Sequence, residues 1–469
     1  MSFRNDFLWG VATSAYQIEG AHDQDGRGLT VWDAFCRREG AVFESHHGDR
    51  ACDHYNRLSE DIALLRWMGV DAYRFSIAWS RVIPEGVGKV SAAGLGFYDK
   101  LVDGLLEAGI DPVVTLFHWD YPLALYHRGG WLNRESVSWF GEYVETVVDR
   151  LSDRVTRWST INEPQCFIGL GHQEGRHAPG LKLPPEDHLR AAHHALLAHG
   201  RAVQVIRGRS RQPAIIGWAP IGHIFYPDSN SPEDIDAARK ATFSVTRRDH
   251  WNNTWYSDPV CRGHYPEDGL RLWGEASPRV EPGDMELISQ PLDFYGVNIY
   301  AGQPVVSDGQ GGWTSVAASP GAPRTAFDWL ITPESLEWGV RFLSERYRLP
   351  VIVTENGMAN LDWVDEHGVV SDPQRIDYSK RYLRALARAV DAGADVRGYF
   401  HWSLLDNFEW AEGYRMRFGL VHVDFETLVR TPKASAHWYR DLIASRGALL
   451  RSPEVGVRAA VPPAVKKAV

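Results

Sequence analysis

Apolar positions along this chain alternate between two patterns. Short runs rich in Val, Ile, Phe and Tyr recur at 7–12, 70–77, 111–117, 156–162, 214–219, 292–298, 350–354 and 396–401. Runs this short and this apolar read as strands buried on both faces. Between them, apolar residues return every three or four positions, the spacing of a helix with one buried face. The helical stretches are Leu58–Met68, Phe97–Ala108, Val137–Leu151, His188–Arg207, Glu334–Arg346 and Tyr378–Ala392. In the last of these, Leu383, Leu386 and Val390 share a face. Strands alternating with helices argue for a parallel sheet with crossover helices. Eight units predict an α/β fold of one kind, a single (β/α)8 TIM barrel with long βα rim loops over residues 1–449. An open doubly wound sheet would carry a glycine-rich phosphate turn after an early strand, and neither GxGxxG nor GxxxxGKS occurs. The Gly/Pro/Ser-rich stretch 302–325 reads as a mobile rim loop. Residues 450–469, with Pro453, Pro462 and Pro463, read as a weakly ordered tail.

Composition narrows the class. A length of 469 residues would suggest about three domains. No linker, charge block or short repeat divides the chain, so the single barrel accounts for the length. The formal charge of −10 argues against a nucleic-acid partner, which wants a basic excess. A 44% hydrophobic content excludes a disordered chain, and no apolar run approaches the roughly 18 residues of a membrane helix. The apolar stretch at 7–12 is too short for an export signal, and Cys36, Cys52, Cys166 and Cys261 show no CxxC spacing. We therefore expect free thiols and a cytoplasmic protein. One count stands out: 19 Trp, more than the 18 Phe or the 18 Tyr. Such flat rings either fill a large core or stack on the CH faces of a sugar.

A barrel enzyme collects its chemistry at the C-terminal ends of its strands. The third run ends in Phe117-His118-Trp119-Asp120 and the fourth in Thr160-Ile161-Asn162-Glu163-Pro164. The sixth ends in Asn298-Ile299-Tyr300, the seventh in Thr354-Glu355-Asn356-Gly357, and the eighth runs into His401-Trp402. A lone glutamate is ordinarily a solvated surface charge. Two glutamates at matching strand ends, Glu163 and Glu355, can instead face each other across a barrel mouth. Glycosidic cleavage needs such a pair, one carboxyl protonated to help the leaving oxygen and the other ionised.

Longer motifs agree. They are Phe7-Leu8-Trp9-Gly10 through Gln17-Ile18-Glu19-Gly20, Tyr73-Arg74-Phe75-Ser76, and Trp402-Ser403 through Phe408-Glu409-Trp410 with Arg417-Phe418-Gly419. On these motifs the chain resembles glycoside hydrolase family one, the retaining β-glucosidase family, from about Phe7 to Tyr439. The resemblance carries residue roles with it. It implies that Glu163 is the acid/base and Glu355 the nucleophile. It places Gln17, His118, Asn162 and Glu409 on the sugar hydroxyls, with Trp402 under the ring and Trp410 lining the same subsite. Asn298, Tyr300 and Arg74 would stand near the nucleophile, and Arg74 and Tyr300 would stabilise its charge. Trp119, Trp329 and Phe418 would complete the mouth, with Trp329 on the aglycone side, while Trp9 and Trp79 belong to the core. The activity implied is an O-glycoside hydrolase of β-glucosidase type. It would act on terminal β-D-glucosyl units, with some β-D-fucosyl and β-D-galactosyl tolerance, through a covalent glycosyl-enzyme. The partners expected are small glycosides or oligosaccharides, with no cofactor, no metal and no membrane; a homo-oligomer is compatible with the sequence.

Departures from the family pattern are informative. Gln165 stands where Trp usually follows Asn-Glu-Pro, and is expected to make the entrance more polar. His401 replaces a small or apolar residue. Glu409 would repel a phosphorylated sugar, which favours neutral glycosides, and the retained Glu163 favours O- over S-glycosides. A non-catalytic sugar-binding relative would lose a carboxylate; a transglycosidase would keep every residue named. His46, His47, Cys52 and His54 match no zinc spacing, and His193, His194 and His199 read as packing or surface residues on a helix.

Overall fold

The computed structural model describes residues 3–451. The eight apolar runs form the strands β1 (Leu8–Ala12), β2 (Ala72–Ser76), β3 (Asp111–Phe117), β4 (Arg157–Asn162), β5 (Ile215–Ala219), β6 (Tyr295–Asn298), β7 (Val351–Asn356) and β8 (Val396–Trp402). All pair in parallel, in the order β5-β4-β3-β2-β1-β8-β7-β6. No ladder joins β5 to β6. Three backbone bonds cross that seam instead, from the amides of Asp293, Asn298 and Gly222 to the carbonyls of Ile216 (2.8 Å), Pro220 (3.0 Å) and Asn298 (2.7 Å). The sheet thus closes into the expected barrel. Inside it pack Ala12, Ala72, Val113, Phe294, Ile352 and Phe400. Alternate residues, such as Tyr73 and Phe75 of β2, join the larger core against the outer helices.

The helices follow their signals. Leu58–Met68 lies where the apolar spacing puts it. Helix Pro373–Asp391 starts five residues before Tyr378, because Pro373 sits at the first helical position, where its missing N–H is not needed. Pro185 does the same for Pro185–Arg209. Helix Ala92–Glu107 starts earlier than its apolar face, since Ser91 caps it by accepting from the Gly94 amide at 3.1 Å. Turns such as Val31–Phe35 and Pro164–Ile168 are too short to show a period.

One stretch differs from expectation. Within 302–325, Gly302–Ser307 and Trp313–Ser315 are strands, paired with each other and with Ile224–Pro227 in a small sheet on the rim. The β-branched Val305 and Val306 carry the strand, and buried Val305 anchors it under helix Glu334–Tyr347 through Trp338 and Phe342. The expected tail 450–469 lies outside the described residues except for Leu450 and Arg451, which end the turn Ala448–Arg451 with Leu450 buried. Trp9 and Trp79 are fully buried core residues. His193, His194 and His199 are buried packing residues, bonded to Tyr265 and Asp284, to the Trp131 carbonyl and to Thr160. The four cysteines are free thiols. Among the described residues, no helix is long and apolar enough to cross a membrane, and no three His, Cys, Asp or Glu group as a metal site.

The seam depends on close backbone approach. A Cβ on Gly296 would sit 2.3 Å from the Trp218 carbonyl oxygen and 2.9 Å from a Thr354 methyl. Gly296→Ala should therefore cost about 1–3 kcal/mol through overpacking, read as a lower urea midpoint with unchanged slope. An unshifted midpoint would mean that β5 and β6 part without cost.

Candidate active site

Pro164 keeps the residue before it out of the right-handed helical region. Glu163 takes φ 45°, ψ 66° as β4 ends, a left-handed conformation rather than the extended one proline favours, and its amide donates to the Ala219 carbonyl at 2.8 Å. That turn points the carboxyl into the barrel mouth. Glu355 is aimed differently. The register of β7 slips against both neighbours at Val353–Asn356, and a bulge of this kind redirects side chains. Gly357 follows because a Cβ there would fall 1.9 Å from the Trp402 carbonyl oxygen. Trp119 and Trp410 also have positive φ, 78° and 50°. Three such non-glycine residues, each costing about 1–3 kcal/mol, stand on one cavity.

That cavity has a volume of about 410 Å³. Glu163, Glu355 and Glu409 all line it, the first two buried and Glu409 half-buried. Beneath them lies Arg74, whose Nη1 donates to Glu355 Oε1 at 2.6 Å and whose Nη2 donates to Asn162 Oδ1 at 2.6 Å. Tyr300 donates its hydroxyl to the other Glu355 oxygen at 2.8 Å. Asn298 sits between the two glutamates: its Nδ2 donates to Glu163 Oε1 at 2.7 Å and to Asn162 Oδ1 at 3.1 Å, and its Oδ1 accepts from Thr354 at 2.6 Å.

The two carboxyls therefore differ electrically. Burial pushes Glu163 up, the charge of Glu355 pushes it further, and its pKa reaches about 8. Burial also raises Glu355, but Arg74 and the Tyr300 hydroxyl pull it back. The shared proton belongs on Glu163. Glu409 is raised well above the usual carboxylate range by burial and by both other glutamates. His118 is held neutral by burial and by Arg74, with its Nε2 3.1 Å from Asn162 Nδ2.

An aromatic wall surrounds these groups. The His118 ring lies 5.7 Å from Trp402 and 6.0 Å from Trp410, near parallel to both, and Trp119 packs 4.6 Å from Trp410. On the outer side, Trp329 stacks on Phe327 at 4.5 Å and packs against Tyr300 and Phe418. Trp119, Asn298, Tyr300, Trp329, Trp402, Trp410 and Phe418 line the cavity. Gln17, Asn162 and Arg74 stand behind that lining. Gln17 donates to Asn407, to the Phe408 carbonyl and, at 3.2 Å, to Glu409.

One expectation needs correction. Gln165 does not polarise the entrance: it is fully buried, turned inward so that its Oε1 accepts from the Ile221 amide at 3.3 Å. Gln165 does not line the cavity, whereas Leu170, Ile221 and Trp251 do. Of these, Ile221 and Trp251 lie on the long excursion between β5 and β6, together with His223, where no strand end flags them. His401 is buried behind Trp402, its ring 5.8 Å from Tyr439, and burial with the charges of Arg375 and Lys433 pushes its pKa to about 3. It is a neutral packing group.

Comparison with known proteins fits this geometry. The family description "Glycosyl hydrolase family 1" matches residues 1–448. The chain is 42% identical to "Beta-glucosidase A" of Acetivibrio thermocellus over 95% of its length and 99% of that protein. It is 45% identical to "Beta-glucosidase" of Agrobacterium sp., over 94% and 95% of the two chains. Among solved structures, the β-glucosidase from Thermotoga maritima in complex with glucoimidazole superimposes with a TM-score of 0.87 at 43% identity, covering 95% of this chain and 99% of that one. With eight strand ends, two unlike glutamates and near full-length similarity in agreement, the chain belongs to glycosyl hydrolase family 1.

Proposed function

We propose that this chain is a retaining β-glycosidase that removes terminal β-D-glucosyl units from small glycosides and oligosaccharides, with Glu355 as nucleophile and Glu163 as acid/base. The observation that carries this reading is the asymmetry of the pair. Glu355 is clamped as an anion by Arg74 and Tyr300, while Glu163 has a neutral amide for a neighbour and keeps a proton. The protonated Glu163 donates to the departing oxygen as ionised Glu355 attacks the anomeric carbon. Glycosylation then removes the charge on Glu355. The Coulomb push on Glu163 falls with it, and Glu163 can take a proton from water for the second displacement. Trp402 lies under the sugar ring, and His118 and Glu409, which line the cavity, hold its hydroxyls, with Gln17 and Asn162 bracing them from behind. Trp329 and Phe418 border the leaving group, and the relatives named β-glucosidase support glucose as the unit held.

Three measurements test this reading. Glu355→Ala should abolish turnover, whereas near-normal rates in that variant would exclude it as nucleophile. Glu163→Ala should slow alkyl glucosides and disaccharides by about 10²–10⁴, and activated aryl glucosides far less, because only poor leaving groups need the proton. Equal losses for both classes would remove Glu163 from the acid role. For the wild type, kcat/KM should decline as pH rises through about 8, where Glu163 loses its proton, and should also decline in acid, where Glu355 gains one. Glu163→Gln, assayed on an activated aryl glucoside, should lack the alkaline limb. If the limb persists there, it belongs to another group.

A further inference from the structure

Behind the sugar pocket lies a second set of charges, closed to the cavity. Lys433 donates to Asp362 at 2.6 Å and to Asp406 at 2.7 Å. Arg375 donates to Asp362 at 2.7 Å and also bonds Asp372. Arg417 donates to Asp406 at 2.8 Å. Three carboxylates meet three cations, so the cluster is neutral. Its members are almost wholly buried except Arg417, whose side chain is 21% exposed. Burial opposes ionisation of Asp362, yet Arg375 and Lys433 outweigh it and keep that carboxyl below its usual range.

The cluster joins segments that each carry a wall of the pocket. Asp406 lies between Trp402 and Glu409, and its Oδ1 accepts from the Gly419 amide at 2.9 Å, beside Phe418. The chain after Glu355 is stapled at Asn360, whose amide donates to the Arg417 carbonyl at 3.0 Å. That carbonyl also accepts from Arg375. Asn407, next to Asp406, accepts from the Gln17 amide that reaches Glu409. A buried ion set is weak evidence for stability, since apolar residues of equal volume serve as well or better; its best-attested use is to select one arrangement.

We infer that Asp406, neutralised by Lys433 and Arg417, is a positioning residue that fixes the Trp402 floor, Glu409 and Phe418 relative to Glu355, and so sets sugar affinity without taking part in bond cleavage. The inference rests on reading this cavity as the sugar subsite. Failure of the wild type to hydrolyse p-nitrophenyl β-D-glucoside would strike that reading alone.

The test uses the full chain and that substrate, with kcat normalised to folded protein. Arg417→Gln, at the solvent edge, should fold and raise KM by about 3–10-fold while kcat changes less than about twofold. Asp406→Asn and Lys433→Met each leave the cluster unbalanced, and each should raise KM by about tenfold or more. The double variant restores neutrality, so its KM should lie below that of either single. A structural role alone would lower kcat or the melting point and leave KM untouched. Wild-type KM in folded Arg417→Gln overturns the inference even if the buried singles fail to fold. A double variant at least as impaired as the worse single overturns it as well.

Discussion

The pocket depends on one guanidinium buried beneath three carboxyl groups. Removing a charge from water costs several kcal/mol per ion, so three carboxyls crowded on one cavity do not ionise with equal ease. Arg74 resolves this by choosing one of them. Its two terminal nitrogens grip Glu355 and Asn162, and the planar fork fixes both at once. Glu163 and Glu409, left without a cation in contact, keep their protons more readily. The division into an anion and an acid is therefore a consequence of where β2 places Arg74, since Asn298 offers Glu163 only an amide. A lysine there would supply the charge but could not hold two partners in a plane.

Holding that arrangement costs backbone freedom. Trp119, Glu163 and Trp410 sit in the left-handed region, where side chains crowd the backbone. The barrel bears the strain because its strands are fixed by parallel ladders on both sides, except at the β5–β6 seam. The loops that complete the pocket have no such ladder. Neutral buried charge does for them what hydrogen-bonded strands do for the barrel: it holds loops after β7 and β8 in one arrangement.

Legibility in the sequence followed the same division. The eight strands could be read because each is buried on both faces and stands apart as an apolar run. Glu163 and Glu355 could be read because they end such runs, flanked by Asn, Pro and Gly whose backbone demands are visible as letters. Helix starts were harder: Pro373 and Pro185 interrupt no pattern, and Ser91 precedes the apolar face it caps. Rim strand Gly302–Ser307 was hidden by its Gly/Pro/Ser surroundings, although Val305 and Val306 carry it. Gln165 shows the limit most clearly. Its polarity is plain in the sequence, but its direction depends on the Ile221 amide, more than fifty residues away in the chain.

The surplus of tryptophan separates along this line too. Trp9 and Trp79 are fully buried core rings, whereas Trp119, Trp402 and Trp410 present faces to one cavity and Trp329 and Trp251 stand further out. The inner rings come from strand ends and the loop after β8, so the barrel itself sets their spacing. Trp329 and Trp251 come from loops attached to the rim, where insertions alter geometry without disturbing a ladder. The inner wall of the cavity is thus tied to the barrel, while its outer wall can change shape independently. Gln165 follows the same division: although it stands two residues after Glu163, it turns inward onto the Ile221 amide, and Leu170, Ile221 and Trp251 line the cavity instead.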